Sequence, residues 1–376
     1  MPFEVACRVL AHQKGRTALA IGGVFVAILL IFIELGFFLA VPQGGMLIYD
    51  HMRFDLLLVS KDYVFMAQSW QFPQRALAVA LKVPGVAQAT PVYLGDAKWQ
   101  GAAGGPRIDI SIIGFDPGSR AFAAAGIESR SAVLARADTI LVDGSTRPIF
   151  GPLTVGRKIT LDGRPMTIGG RYRLGTGFLG LGVALVDPEN FFRIFPRRPS
   201  GQVNFGLVTL RPGADPDKVA AALRAVLPTD TQVLTRAGLT RQEVAYWTTK
   251  TGTGIIFGSG LVVAFIVGIM ILYQTLATQV ARQLPQFAML KAIGYRNRAL
   301  NAIVLAEAVL IMLLAFLPAL GAAFALYIVI RRETLLPATL SPAELGAVFA
   351  TGLAMAAASA LFSLGRLRRA HPADIF

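Results

Sequence analysis

Cysteine is nearly absent from this chain of 376 residues, and the single Cys7 excludes an intramolecular disulfide and any cysteine-built metal cage. Histidine is scarce too. His12, His51 and His371 lie far apart in sequence and form no His-x-x-x-His pair, so the ligand pairs of a catalytic metal site are missing. No Gly-Lys dipeptide occurs, which removes the phosphate loop of an ATPase, because that loop needs its lysine after the last glycine. No catalytic, cofactor-binding or metal-ligating residue is therefore assigned. Charged residues are few, 15% against about 25% in an average soluble domain. In their place stand 54% hydrophobic residues and a mean hydropathy of +0.58, the balance of a membrane protein. The surplus of Lys and Arg over Asp and Glu, 36 to 22, is scattered without the basic, aromatic-interleaved stripe of a nucleic-acid binder.

Four apolar runs are each long enough to span a bilayer: 17–41, 253–277, 302–330 and 345–364. The first is longer than the apolar core of a signal peptide and lacks a clean small-x-small cleavage site, so it reads as a retained anchor. The third holds Pro318 near its middle and reads as one tilted or kinked helix, because neither half alone crosses the hydrocarbon. Basic residues flank the runs on one side: Arg8, Lys14 and Arg16, then Arg282, Lys291, Arg296 and Arg298, then Arg366, Arg368 and Arg369. Only Arg331 and Arg332 lie on the other. The positive-inside rule puts 1–16, the 278–300 connection and the 365–376 tail in the cytoplasm, leaving 42–250 and the short 331–344 loop outside it.

The long segment 42–250 has the pattern of a folded α+β domain. Strands are expected at 54–60, 86–93, 108–115, 139–143 and 205–210, and helices at 74–82 and 215–227, the latter opened by Asp215-Pro216. Asp162-Gly163 marks a hairpin between arms 158–161 and 165–168. The Gly-rich pieces 101–105 and 175–182 read as loops, and 239–251 as a helical stalk running straight into the second span.

Between the second and third spans, polar helix is expected to break near Pro285 and resume with Phe287, Leu290 and Ile293 at helical spacing, ending at Gly294 as a C-cap. Two readings stand: an amphipathic helix resting on lipid, or a coupling helix that fits a groove on a cytoplasmic motor. Glu34 and Glu307 are acids inside spans, and each either serves function or is hydrogen-bonded within the bundle or a dimer. Gly254-x-x-x-Gly258 permits close helix packing.

The run Leu290-Lys291-Ala292-Ile293-Gly294-Tyr295 resembles the Leu-Lys-Ala-(Met/Ile)-Gly-Tyr signature of FtsX-like and MacB-like ABC permeases, most closely the DevC type. Glu34-Leu35-Gly36-Phe37 is similar to that family's Gln-Leu-Gly-Phe, and Arg368-Arg369-Ala370-His371-Pro372-Ala373-Asp374-Ile375 to its C-terminal ending. Ile140-Leu141-Val142-Asp143 followed by Val155-Gly156-Arg157-Lys158-Ile159 resembles its outer domain. The chain departs from the pattern at Pro285-Gln286-Phe287, where the family often has Glu before an aromatic or Ile, and at Glu34, where it commonly has a neutral residue.

The resemblance implies a MacB/FtsX-like permease of the bacterial inner membrane, with four transmembrane helices and an inserted α+β extracytoplasmic domain. It implies a homodimer working with a cytoplasmic ABC ATPase dimer that holds ATP and Mg, a periplasmic membrane-fusion-type adaptor and an outer-membrane channel. Pro285, Gln286, Phe287, Leu290, Lys291, Ile293, Gly294 and Tyr295 would couple to the ATPase. Export by mechanotransmission is the function implied. FtsX-like control of cell-wall hydrolases and lipoprotein release are the alternatives.

Overall fold

The four apolar runs form four long helices, because in hydrocarbon every backbone N–H and C=O must be satisfied within the segment. The computed structural model describes residues 14–101, 105–293, 297–334 and 339–369. The chain divides into two units, a helical one formed by Met1–Ala40 with Gly252–Phe376, and an inserted one, Val41–Thr251.

In the helical unit the four helices are Lys14–Asp50, whose residues to Ala40 belong here, Gly252–Ala292, Asn297–Thr334 and Pro342–Arg369. Val24, Ile28, Phe32, Leu272, Val304, Met312 and Met355 are among the residues of their shared core. The third helix is the most enclosed, with 56% of its apolar window buried, and the second the least, with 17%. The second helix therefore presents Ile255, Val262, Ile266 and Met270 as an exposed apolar stripe.

Two expectations need correction. The second helix does not break at Pro285: it runs unbroken from Gly252 to Ala292 with the proline inside. A proline forfeits one backbone hydrogen bond and crowds one carbonyl, a local cost that the surrounding turns of a 41-residue helix absorb. Nor does the stalk run straight into that helix. Helix Arg236–Ala245 passes into a π-helical turn, Tyr246–Lys250, and then Thr251 adopts extended backbone, φ −96° and ψ 146°. The cause lies in the Thr-rich sequence. The hydroxyls of Thr248, Thr249 and Thr251 donate to carbonyls four residues back, on Val244, Ala245 and Trp247, and such back-bonding distorts a helix.

The inserted unit is built on a nine-stranded mixed sheet. Its strands in chain order are β1 (Leu56–Ser60), β3 (Val86–Gly101), β4 (Ile108–Phe115), β5 (Thr139–Asp143), β6 (Lys158–Leu161), β7 (Arg164–Tyr172), β8 (Val183–Val186), β10 (Phe205–Leu210) and β11 (Thr231–Thr235); β2 (Phe72–Pro73) and β9 (Gln202–Val203) form a separate pair. The order is β11-β1-β10-β3-β4-β8-β5-β7-β6, and β6 returns to pair with the far end of β3, Trp99 opposite Leu161, so the six strands from β3 to β6 close on themselves. β4–β8 and β5–β7 are parallel and the other pairs antiparallel. Strand alternation divides the side chains between two cores: Leu56 and Leu58 join one, Leu57 and Val59 the other.

Local signals are met where they were strongest. Asp162 and Gly163 both take positive φ, 48° and 82°, in the two-residue turn between β6 and β7. Asp215 caps helix Pro216–Val226 by accepting from the Asp217 and Lys218 amides. The 175–182 stretch is a loop. β8, β11 and helix Pro188–Ile194 were not anticipated.

Candidate coupling and buried polar sites

The coupling stretch lies at the end of the second helix. Its backbone is helical to Ala292, and the Ile293 amide donates to the Met289 carbonyl at 3.1 Å as the helix ends. Met289 and Ile293, four residues apart and so on one helix face, are 67% and 70% exposed, as an apolar docking face requires. Pro285 is exposed as well. The side chains of Gln286, Phe287, Leu290 and Lys291, and all of Gly294 and Tyr295, lie outside the described residues, as does 370–376.

Within the bundle, polar groups gather at three places. Glu307 is fully buried and its Oε1 is 3.4 Å from Gln283 Nε2, while its Oε2 has no hydrogen-bond partner among the described residues. Glu34 is half-buried against Gly260, where a Cβ would collide with its carboxylate, and its Oε2 is likewise unpartnered among the described residues. At the third place, which sequence reasoning missed, the Tyr327 hydroxyl lies 2.5 Å from both the Phe32 carbonyl oxygen and Glu344 Oε1. That hydroxyl rests on Gly36 so closely that a Cβ there would overlap it, which gives the glycine of Glu34-Leu35-Gly36-Phe37 its physical reason.

Of the packing glycines, Gly254 is buried, and a Cβ on Gly258 would sit at 3.4 Å from Phe38, ordinary contact. The closer approaches on this helix are at Gly260 and at Gly268, which faces Met355.

The inserted unit holds a further cluster that the sequence did not reveal. Glu243 on helix Arg236–Ala245 is fully buried. Tyr63 donates to its Oε1, Trp247 Nε1 donates to its Oε2 at 2.9 Å, and the Tyr49 hydroxyl lies 2.6 Å from that of Tyr63. Since the Tyr63 proton points to Glu243, Tyr49 is the donor of that last bond. Burial pushes the Glu243 carboxyl up to about 7, against the opposing pull of the two donors. Burial also lifts Tyr63 well above the ordinary tyrosine value, so it stays a neutral donor. Gly45 leaves room for the Trp247 indole, and Phe178 from the Gly-rich loop stacks on Trp247 with centroids 4.2 Å apart. The cluster thus ties together the 41–50 turns, the loop after β1, the 175–182 loop and the π-helical turn. Only Trp247 and the Gly44-Gly45 pair could have hinted at it.

The MacB-like periplasmic core domain profile matches residues 17–226, more than half of the chain. The chain belongs to that family. A second profile, the FtsX-like permease C-terminal, matches residues 258–372 of this MacB-like chain and so covers the other three helices. Among solved structures, the periplasmic region of MacB from Actinobacillus actinomycetemcomitans is 10% identical, with a TM-score of 0.37, over 50% of this chain and 92% of that one. The extracellular domain of the noncanonic ABC-type transporter YknZ from Gram-positive bacteria is 13% identical, with a TM-score of 0.33, over 48% and 99%. A domain of a putative permease from Porphyromonas gingivalis is 19% identical, with a TM-score of 0.34, over 48% and 88%. No curated protein matches the chain. The MacB-like chain is therefore an ABC-type permease with a periplasmic-type α+β domain inserted among four membrane helices.

Proposed function

We propose that this MacB-like chain is the permease subunit of an exporter of the DevC type that works by mechanotransmission. A cytoplasmic ABC ATPase dimer holds ATP and Mg and docks on the end of the second helix. The permease is a homodimer in the bacterial inner membrane with both termini cytoplasmic, and its outer domain engages a membrane-fusion-type adaptor leading to an outer-membrane channel. The observation that carries this reading is the unbroken helix Gly252–Ala292, which bears the coupling stretch on the same rod as the second span. At 1.5 Å per residue such a rod is about 60 Å long, so a displacement at one end is felt at the other without a hinge between. Met289 and Ile293 give the motor an exposed apolar face to grip. The bundle's FtsX-like match leaves a non-exporting regulator of cell-wall hydrolases as the second reading, since it would use the same docking.

The test is co-purification of the partner ATPase with Leu290→Ala and Ile293→Ala variants. Anchors in a helix-in-groove contact are each worth about 1 to 3 kcal/mol, so each variant should retain several-fold less ATPase while inserting normally. Normal insertion with undiminished ATPase in both variants would overturn the docking assignment. Export of a cargo by the intact complex separates exporter from regulator.

A further inference from the structure

The inserted domain contains a cleft of about 940 Å³ between the β6–β7 turn and the loop that follows helix Pro188–Ile194. Four arginines line it, Arg164, Arg193, Arg197 and Arg198, against one acid, Asp162. Like charges gathered in a concave site raise its positive potential, which favours an anionic partner wherever internal acids do not offset it.

Internal partners account for only part of it. Arg164 Nε pairs with Asp138 Oδ1 at 3.2 Å, and Arg193 shares that oxygen at 3.9 Å while also pairing with Glu189. Arg198 lies over the Phe191 ring at 5.0 Å and donates to the Leu94 carbonyl and to Asn204 Oδ1. Its Nε remains buried with no acceptor among the described residues. Burial lowers its pKa to about 10, which still leaves it cationic at neutral pH. Arg197 is exposed and makes no hydrogen bond or ion pair among the described residues. Asp162 is already engaged, its Oδ1 accepting from the Lys98 amide at 3.0 Å. Phe195, Pro196 and Pro199 supply an apolar wall beside these guanidinium groups.

We propose that this cleft binds an oxyanion, a phosphate or carboxylate group, carried by a molecule whose apolar part lies along Phe195 and Pro199. Arg197 is the principal contact, because it is the arginine whose donors are uncommitted, and a guanidinium matches such anions in a bidentate way. Arg164 and Arg193 supply the surrounding positive field while remaining tied to Asp138. The site rests on the inserted domain alone, so it stands or falls independently of the ATPase-docking reading.

The full chain in a non-ionic detergent is titrated calorimetrically with hexyl phosphate, inorganic phosphate and hexanol, using Arg197→Ala, Arg197→Lys and, outside the cleft, Arg211→Ala as variants. Hexyl phosphate should bind saturably and hexanol should not. Loss of a charge-assisted contact corresponds to about tenfold or more in affinity, so Arg197→Ala should weaken hexyl phosphate by that factor, Arg197→Lys by less and Arg211→Ala not at all. Inorganic phosphate binding as tightly as hexyl phosphate would overturn the apolar half of the proposal and identify a free anion as the ligand. Absence of saturable binding by either phosphate, or equal binding by wild type and Arg197→Ala, would overturn the site.

Discussion

In the inserted domain the Glu243 carboxylate receives a donor on each oxygen, Tyr63 on one and Trp247 on the other. In the helical bundle Glu34 and Glu307 each keep a buried Oε2 with no donor among the described residues. The same chemical group is thus a clamp in one region and an incompletely satisfied guest in the other. The difference shows what each fold can offer. A closed sheet with loops brings hydroxyl and indole donors from three separate segments to one point, whereas a four-helix bundle has spent its backbone donors inside its helices and must use side chains. A buried oxygen without a partner calls for a proton, a water or a neighbouring chain, which keeps the bundle acids candidates for function in a way that Glu243 is not.

The largest effect should come from unmaking the clamp. Glu243→Ala leaves the Tyr63 hydroxyl buried and the Trp247 N–H part-buried without an acceptor, losses of about 1 to 3 kcal/mol for the first and less for the second, so thermal unfolding in detergent should report a loss of roughly 3 kcal/mol. The clamp also titrates. The folded state holds the Glu243 proton up to about 7, above the ordinary 4.5, so between those values the native chain binds more protons than the unfolded one. This group's contribution to stability is therefore fully present below pH 4.5, falls as pH rises through about 7 and is flat above it, by about 3 kcal/mol at most. Glu243→Gln cannot titrate, and its amide nitrogen faces the Trp247 donor, so it should be less stable than wild type at low pH and lack that descent. An identical pH slope in both chains would show that the carboxyl titrates elsewhere.

How far these two regions were readable from the sequence follows the range of the interactions that build them. The four spans, the Asp162-Gly163 turn and the Asp215-Pro216 helix start were legible because each rests on a local pattern. Sheet closure through Trp99 opposite Leu161 was not, since no local pattern marks a strand that pairs twice. The Glu243 clamp was invisible for the same reason, Tyr63 and Glu243 being 180 residues apart. Proline and threonine misled in opposite directions. Pro285 carries a strong breaking propensity that a long helix overrode, and Thr248, Thr249 and Thr251 look helix-compatible singly but together bend the chain out of the α-helix. In the bundle, Glu34 and Glu307 stand out in the sequence as acids in apolar runs, while the pairing of Tyr327 with Glu344 leaves no local signal, because a tyrosine near a span end is ordinary until its hydroxyl is seen against Gly36.

That contact supplies the intermediate prediction. Gly36→Ala puts a methyl where the Tyr327 hydroxyl sits, so the ring must move and its bonds to Phe32 and Glu344 are lost, an overpacking cost of about 1 to 3 kcal/mol. Tyr327→Phe removes the nearest clashing atom, the hydroxyl, and leaves only the ring Cζ, 2.5 Å from the added methyl, to be eased by a smaller shift. The double variant should therefore be more stable than the sum of the two single losses, the non-additivity expected of residues in contact. Strict additivity in thermal unfolding would mean that the two side chains do not meet.

The smallest effect is expected at Glu307. If an acid with one unpartnered buried oxygen is not a clamp, replacing it removes little, because the desolvation it suffers offsets the single 3.4 Å contact from Gln283. Glu307→Gln should shift stability by about 1 kcal/mol or less, in either direction, since an amide replaces the orphaned oxygen with a neutral group of the same shape. Thermal unfolding of the permease alone measures that term. ATP turnover of the permease–ATPase complex measures the other, and the two readouts divide the possibilities. Unchanged stability with reduced turnover assigns the acid to the working cycle. Unchanged stability with unchanged turnover makes it a passive packing residue. A loss of several kcal/mol would mean that Glu307 is held as firmly in the bundle as Glu243 is in the domain.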